Sequence, residues 1–148
     1  MTDSPAEHRF EKQASVEEGS ELRLDFNKLA RVSDKRPAVL PVAVQNSDTG
    51  ELILVAYTDE TAFRKCMSSR KLVLWSTSRN ELWEKGRTSG ETFEVVEALV
   101  NCEQNSLLYK VRPNRGGICH TKNRKGLSRN CFYRRIDMDS LRLENIDP

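Results

Sequence analysis

Val39-Leu40-Pro41-Val42-Ala43-Val44-Gln45, then Asn46-Ser47-Asp48-Thr49-Gly50, then Glu51-Leu52-Ile53-Leu54-Val55-Ala56-Tyr57: two apolar runs lie either side of five turn-forming residues. Val, Ile and Tyr favour extended backbone, and an Asn/Asp/Gly loop between two such runs predicts an antiparallel hairpin. Downstream, Lys71–Ser76, Thr92–Asn101, Ser106–Arg112 and Asn130–Arg135 read as further strands. Alternation within Phe93–Val100 is imperfect, so neither face need be cleanly solvated. Asp59–Met67 reads as a short helix capped by Thr58, with Cys66 inside it as a small core residue. Upstream, Leu22, Leu24, Phe26 and Leu29 predict an entry strand or short helix, and Pro37 with Pro41 limits its length. The fold expectation is β-rich, all-β to α+β: a compact, strand-dominated domain with a short helix.

At 148 residues the chain suits one domain. Residues 1–21 are polar and mostly acidic and read as a flexible extension; residues 22–148 read as the domain proper. The net charge of +2 names no partner, but Lys110, Arg112, Arg115, Lys122, Arg124, Lys125, Arg129, Arg134 and Arg135 cluster in one stretch. Such a cluster suits an anionic ligand, phosphate above all, or is simply a solvated basic face. The N-terminus lacks a secretory pattern and no apolar run nears the roughly 20 residues of a membrane span. The expectation is a soluble cytoplasmic protein with no membrane partner. Its four cysteines then read as thiols or metal ligands rather than a disulfide framework.

Cys102, Cys119 and Cys131 each have polar, basic or histidine neighbours rather than an apolar run. Three thiolates with no obvious fourth suggest zinc with one open coordination position, the arrangement that activates a water. Without a CxxC pair, three separate core thiols remain the alternative. Cys119 lies in Gly116-Gly117-Ile118-Cys119-His120-Thr121, within the long loop Pro113–Arg129, where paired glycines let the backbone fold closely around a site. His120 is a candidate for moving a proton to or from a leaving nitrogen, for closing the zinc site as a fourth ligand, or for simple exposure. A second constellation, Leu74–Gly90, holds both tryptophans, Trp75 and Trp83, among Ser76, Ser78, Arg79, Lys85, Thr88 and Ser89. Hydroxyls and cations of this kind hold phosphate oxygens and an indole flanks a base; alternatively the tryptophans are core and the rest a polar hairpin.

Together these segments resemble the phosphoribosyl-AMP cyclohydrolase family of histidine biosynthesis over about Leu22 to Arg135. The matching stretches are Leu24-Asp25-Phe26, Pro41–Gln45 with Thr49-Gly50-Glu51, Ala56-Tyr57, Trp75-Ser76 through Ser78-Arg79, Leu82–Gly86 with Thr88-Ser89-Gly90, Cys119-His120-Thr121 and Cys131-Phe132-Tyr133. The resemblance implies a zinc hydrolase that opens the purine ring of phosphoribosyl-AMP between N1 and C6, yielding a carboxamide. It implies zinc on Cys102, Cys119 and Cys131, with the first cysteine contributed across the interface of an intertwined homodimer. It also implies that zinc activates the water that attacks C6, that His120 assists proton transfer, and that Trp75, Ser76, Ser78, Arg79, Trp83, Lys85, Thr88 and Ser89 serve substrate binding.

The chain departs from the family pattern around its first cysteine. There the family reads Asp-Cys-Asp-x-Asp and binds magnesium, whereas this chain reads Asn101-Cys102-Glu103-Gln104-Asn105. Magnesium keeps many of its waters, so a weaker site at Asn101, Glu103 and Asn105 is the expectation. The spacing from Cys119 to Cys131 exceeds the family's, with Lys122–Ser128 as the inserted stretch. The first reading is therefore the cyclohydrolase itself, acting on a nucleotide with no nucleic-acid partner. The others are a related zinc hydrolase acting on another nucleotide or cyclic amidine, and a zinc-stabilised module that binds nucleic acid through the basic region.

Overall fold

The computed structural model describes residues 4–35, 38–86, 91–114 and 117–148. The described elements are, in order, α1 (Pro5–Glu18), α2 (Lys28–Lys35), β1 (Leu40–Asn46), β2 (Leu52–Thr58), α3 (Glu60–Ser69), β3 (Val73–Ser76), β4 (Glu81–Glu84), β5 (Phe93–Val100), β6 (Leu107–Pro113), β7 (Arg134–Ile136) and β8 (Leu143–Asn145). The architecture is α+β. A six-stranded mixed sheet has the order β4-β3-β2-β1-β6-β5, and β7 pairs with β8 in a separate ribbon. Among the described residues no helix is long and apolar enough to cross a membrane.

The hairpin read from the sequence is β1 and β2. Asn46 Oδ1 accepts from Asp48 N at 2.9 Å and Thr49 N at 3.1 Å, while Gly50 takes φ +75°, a region open to glycine at no steric cost. Apolar residues on the inner face of these strands, Val42, Val44, Leu54 and Ala56, join Phe93, Tyr109 and Val111 in the core. Full burial of a Val, Leu or Phe side chain contributes about 1.5–3 kcal/mol. Ala62 and Cys66 of α3 pack into the same core, as expected for Cys66.

Strand order and curvature place the loop that follows β6. β1 and β6 pair in parallel, with Ala43 opposite Leu108. β5, at the far edge, folds back onto the segment leading into β3: Leu72 N donates to Phe93 O at 3.0 Å and Val95 N to Arg70 O at 2.7 Å. The sheet is thereby curled into a half-barrel. In the β1–β2 ladder Val44 faces Leu54 and Gln45 faces Leu52, so Ile53 is the extra residue of a β-bulge. A bulge frees a backbone group from the ladder, and the Ile53 carbonyl accepts instead from Cys131 N at 2.9 Å.

Several boundaries differ from the sequence reading. The cap of α3 is Asp59, whose side chain accepts from Ala62 N at 2.8 Å, while the Thr58 hydroxyl donates to the Asp59 carbonyl. Of Asn130–Arg135 only Arg134 and Arg135 enter a strand, because Cys131 is drawn toward Ile53. Of the two options read for Leu22, Leu24, Phe26 and Leu29, the short helix forms, but α2 starts at Lys28 and takes in only Leu29; Leu24, Phe26 and Leu29 are exposed. The polar N-terminus, read as an extension without elements, carries α1. Pro5 stands at its start and Ser4 with Glu7 forms a reciprocal capping box, satisfying two of the orphan donors at the helix start.

Candidate active site

Residues 117–131 form a folded-back loop over the sheet. Gly117 N donates to Ser128 O and Cys119 N to Arg129 O, both at 2.8 Å, and Arg129 N returns to Thr121 O at 3.1 Å. The two limbs pass so closely that a Cβ on Gly117 would stand 2.3 Å from the carbonyl carbon and oxygen of Arg129, so only glycine fits. Lys122–Ser128 closes on itself: Lys122 bridges Ser128 and Asn123 N donates to Leu127 O at 2.9 Å. Ile118 is buried in the core and anchors one limb, and the Cys131–Ile53 bond anchors the other.

This path brings Cys119 and Cys131 into side-chain contact. The Cys131 thiol is pushed up to about 12, first by burial and then by the neighbouring Cys119 sulfur. Cys131 is open to solvent on one side, yet its neighbours strip enough water from the sulfur to disfavour the thiolate. Cys119 Sγ also lies 3.1 Å from Thr121 Oγ1. A soft sulfur pair in which burial and the neighbouring sulfur disfavour the Cys131 thiolate suits a cation placed between the two, which offsets that penalty.

The pair lines a cavity of about 460 Å³ together with His120, Ser76, Ser78, Arg79, Trp83 and Lys85. The β3–β4 hairpin presents these groups. Its turn is set by Asn80 at φ +53°, and Ser76 Oγ accepts from Arg79 N at 3.3 Å and lies 3.4 Å from Ser78 Oγ. Trp83 is both packed against the core and part of the cavity wall. Trp75 does not line the cavity; it sits within the sheet opposite Tyr57 and Leu82. Thr88 and Ser89 lie outside the described residues.

Cys102 is elsewhere, exposed on the turn between β5 and β6. Among the described residues no three His, Cys, Asp or Glu side chains gather in metal-binding geometry. The neighbouring polar side chains knot the turn. Asn101 Oδ1 accepts from Asn105 N at 2.8 Å and Ser106 N at 2.9 Å, and Asn101 Nδ2 donates to Asn105 Oδ1 at 2.6 Å. Asn105 Nδ2 in turn donates to Glu103 Oε2 at 3.1 Å. Both lone pairs of the Asn101 oxygen are occupied, and one oxygen each of Asn105 and Glu103 is engaged. In this arrangement the turn engages part of the donor set that magnesium would need, and Glu103 is the one carboxylate in it.

Glu17 does not line the cavity but touches His120, and no sequence motif marks it. In the last turn of α1, it places Oε1 2.6 Å from His120 Nε2. Burial raises the Glu17 carboxyl, but hydrogen bonds from Gln13 and His120 and the charges of His120 and Arg134 together hold it below the ordinary value. In sequence, residues 1–21 read as a flexible extension; the capping box and N-terminal proline mark the helix that carries Glu17, and nothing in the sequence marks where it docks.

A family model described as phosphoribosyl-AMP cyclohydrolase matches residues 54–133. The phosphoribosyl-AMP cyclohydrolase of Thermobifida fusca is 41% identical over 106 residues, covering 72% of this chain and 90% of the relative. That of Hyphomonas neptunium is 39% identical over 124 residues, 84% of each. That of Syntrophotalea carbinolica is 35% identical over 127 residues, 86% of this chain and 91% of the relative. The matched span contains the two contacting thiols, His120 and the hairpin that presents Ser76, Arg79 and Lys85 to them, and with these relatives it establishes that the chain belongs to the phosphoribosyl-AMP cyclohydrolase family of histidine biosynthesis enzymes.

Proposed function

We propose that the cavity holding Cys119, His120 and Cys131 is where the purine ring of phosphoribosyl-AMP is opened between N1 and C6. The observation that carries this reading is the meeting of a thiol pair, an imidazole and a hydroxyl-and-cation hairpin in one cavity of nucleotide-compatible size. Cys119 and Cys131 supply two thiolate ligands for zinc, and Cys102 of the partner subunit supplies the third. Zinc bound there would supply Lewis-acid activation of water.

The chain's own groups do the rest. Arg79 and Lys85 neutralise phosphate while the Ser76 and Ser78 hydroxyls donate to its oxygens, with Thr88 and Ser89 assigned to the same task. Trp83 offers an indole face to the base, and Trp75 supports the hairpin from within the sheet. His120 accepts one proton as water adds to C6 and returns it to N1 as the C6–N1 bond breaks, while the second water proton passes to the exocyclic nitrogen, leaving C6 as a carboxamide. The Cys102 turn is held by its own amide hydrogen bonds rather than by magnesium. Four free thiols suit a reducing, cytoplasmic setting.

A homodimer is supported by the outer face of the sheet. Val55, Ala43, Leu108 and Leu99 stand in register across β2, β1, β6 and β5. Val55 is 54% and Leu99 40% exposed, an apolar row that ends beside the Cys102 turn. Incubating purified protein with phosphoribosyl-AMP and following carboxamide formation by absorbance, with metal analysis, tests the chemistry. Turnover undiminished after zinc removal refutes it. Mixing inactive Cys102→Ala and Cys119→Ala chains tests the shared site: random exchange restores about a quarter of the sites in a two-fold dimer, and no recovery means the thiols are not shared.

A further inference from the structure

We propose that Glu17 is a positioning residue for His120, so that the N-terminal helix completes the catalytic apparatus. The inference rests on the reading that His120 moves a proton in this cavity. The His120 side chain is 72% exposed, so packing does not set its ring. What holds it is the 2.6 Å contact between Nε2 and Glu17 Oε1. A carboxylate only accepts, so Nε2 carries the proton, and in the neutral ring Nδ1 keeps the free lone pair. One tautomer is thereby selected, and Nδ1 becomes the nitrogen that can accept.

Glu17 can do this because its own place is determined. Gln13 Nε2 donates to the same Oε1 at 3.0 Å. Tyr133 OH donates to the Glu17 carbonyl at 2.6 Å, and Arg134 Nη1 donates to the carbonyls of Val16 at 2.6 Å and Gly19 at 3.1 Å. Next along the chain, Glu18 receives Arg129 Nη1 at 2.7 Å. α1 buries none of its residues in the core, and this polar clasp fixes its last turn. The clasp uses residues flanking Cys131 and delivers one carboxylate to the ring beside Cys119. Glu17 lies outside residues 54–133, so the family match does not account for it.

The test compares full-length Glu17→Ala, Glu17→Gln, His120→Ala and the double variant Glu17→Ala/His120→Ala in phosphoribosyl-AMP turnover. Glu17→Ala is expected to lower kcat about tenfold with KM little changed, a part of what a proton-transfer group contributes. Glu17→Gln keeps an acceptor oxygen at the same reach and is expected to recover most of that loss. In the His120→Ala background Glu17→Ala is expected to add nothing to the loss in kcat. Nitrogen-15 spectra supply a readout independent of turnover: the His120 Nε2–H signal is present in the parent protein and exchange-broadened in Glu17→Ala. Unchanged kcat in Glu17→Ala, losses that multiply in the double variant, or an unaltered ring spectrum overturns the proposal. If His120→Ala itself retains full kcat, the underlying assignment of His120 fails, and the positioning role fails with it.

Discussion

Arg129 ties three parts of the molecule together, and replacing it by methionine measures how much that junction is worth. Its side chain is only 4% exposed, whereas its partner Glu18 is 51% exposed. Nε donates to the Asp147 carbonyl at 2.8 Å, Nη1 to Glu18 at 2.7 Å, and the guanidinium lies 4.5 Å from the Tyr133 ring centroid. Losing the charged donor to Asp147 leaves a carbonyl short of a partner, at about 1–3 kcal/mol. The ion pair adds at most about 1 kcal/mol, because Glu18 rehydrates when freed. The cation–π contact adds about 1 kcal/mol, partly offset by burying the methionine chain. The net is about 3 kcal/mol. At this size 1 kcal/mol moves Tm by about 2–4 °C, so Arg129→Met is expected to lower Tm by about 9 °C in chelator-treated protein. Arg129→Lys keeps the charge but loses the planar fork and is expected to fall between the two. Thermal unfolding followed by circular dichroism reads both variants. A shift below about 3 °C for Arg129→Met would refute the reasoning, since it would mean the junction is as solvated as an ordinary surface pair.

Gly117→Ala places a methyl 2.3 Å from the Arg129 carbonyl group, forcing the limbs bearing Cys119 and Cys131 apart. It is expected to cost about 1–3 kcal/mol of stability and to weaken zinc binding in a chelator competition; unchanged zinc affinity would show that the limbs need not touch. Zinc affinity is expected to fall as pH falls, because the thiol must lose its proton to bind. With Cys131 held up to about 12, that thiol alone contributes about tenfold per pH unit throughout the neutral range. A competition titration at pH 6, 7 and 8 reads the slope, and a flat profile would exclude Cys131 as a ligand. Magnesium at millimolar concentration is expected to leave Tm and kcat of the zinc-loaded enzyme unchanged, since the Asn101 oxygen already accepts two backbone bonds. A magnesium-dependent rise in either would show that the Cys102 turn opens to receive the ion.

Features set by neighbouring residues are legible without coordinates. The β1–β2 hairpin follows from Asn46 to Gly50, whose side-chain acceptor and positive φ act within five residues. The burial of Cys66 follows from its place on a short amphipathic helix. The cap of α3 differs by one residue from the sequence reading because adjacent Thr58 and Asp59 both suit an N-cap, and only backbone direction distinguishes them. The helix α1 is hard to see in a composition that is polar throughout, although the capping pattern from Ser4 to Glu7 is present. Within the candidate site, Ser76, Ser78, Arg79, Trp83 and Lys85 share a cavity wall with the thiol pair, whereas Trp75 does not. Alternation along a four-residue strand is too short a signal to tell the two tryptophans apart.

By itself the sequence determined the local elements whose causes lie within a few residues, and, through its ordered motifs, the family to which the chain belongs. Tertiary structure alone decided which distant groups meet. The parallel pairing of β1 with β6, the curl that returns β5 to residue 71, and the bulge that turns the Ile53 carbonyl toward Cys131 depend on contacts far apart along the chain. Those contacts bring Cys119 to Cys131, leave Cys102 on an outlying turn, and carry Glu17 across more than a hundred residues to His120. Residue types fix what a side chain can do, but hydrogen bonds and soft-metal ligation act over about 3 Å, a distance only the folded chain sets.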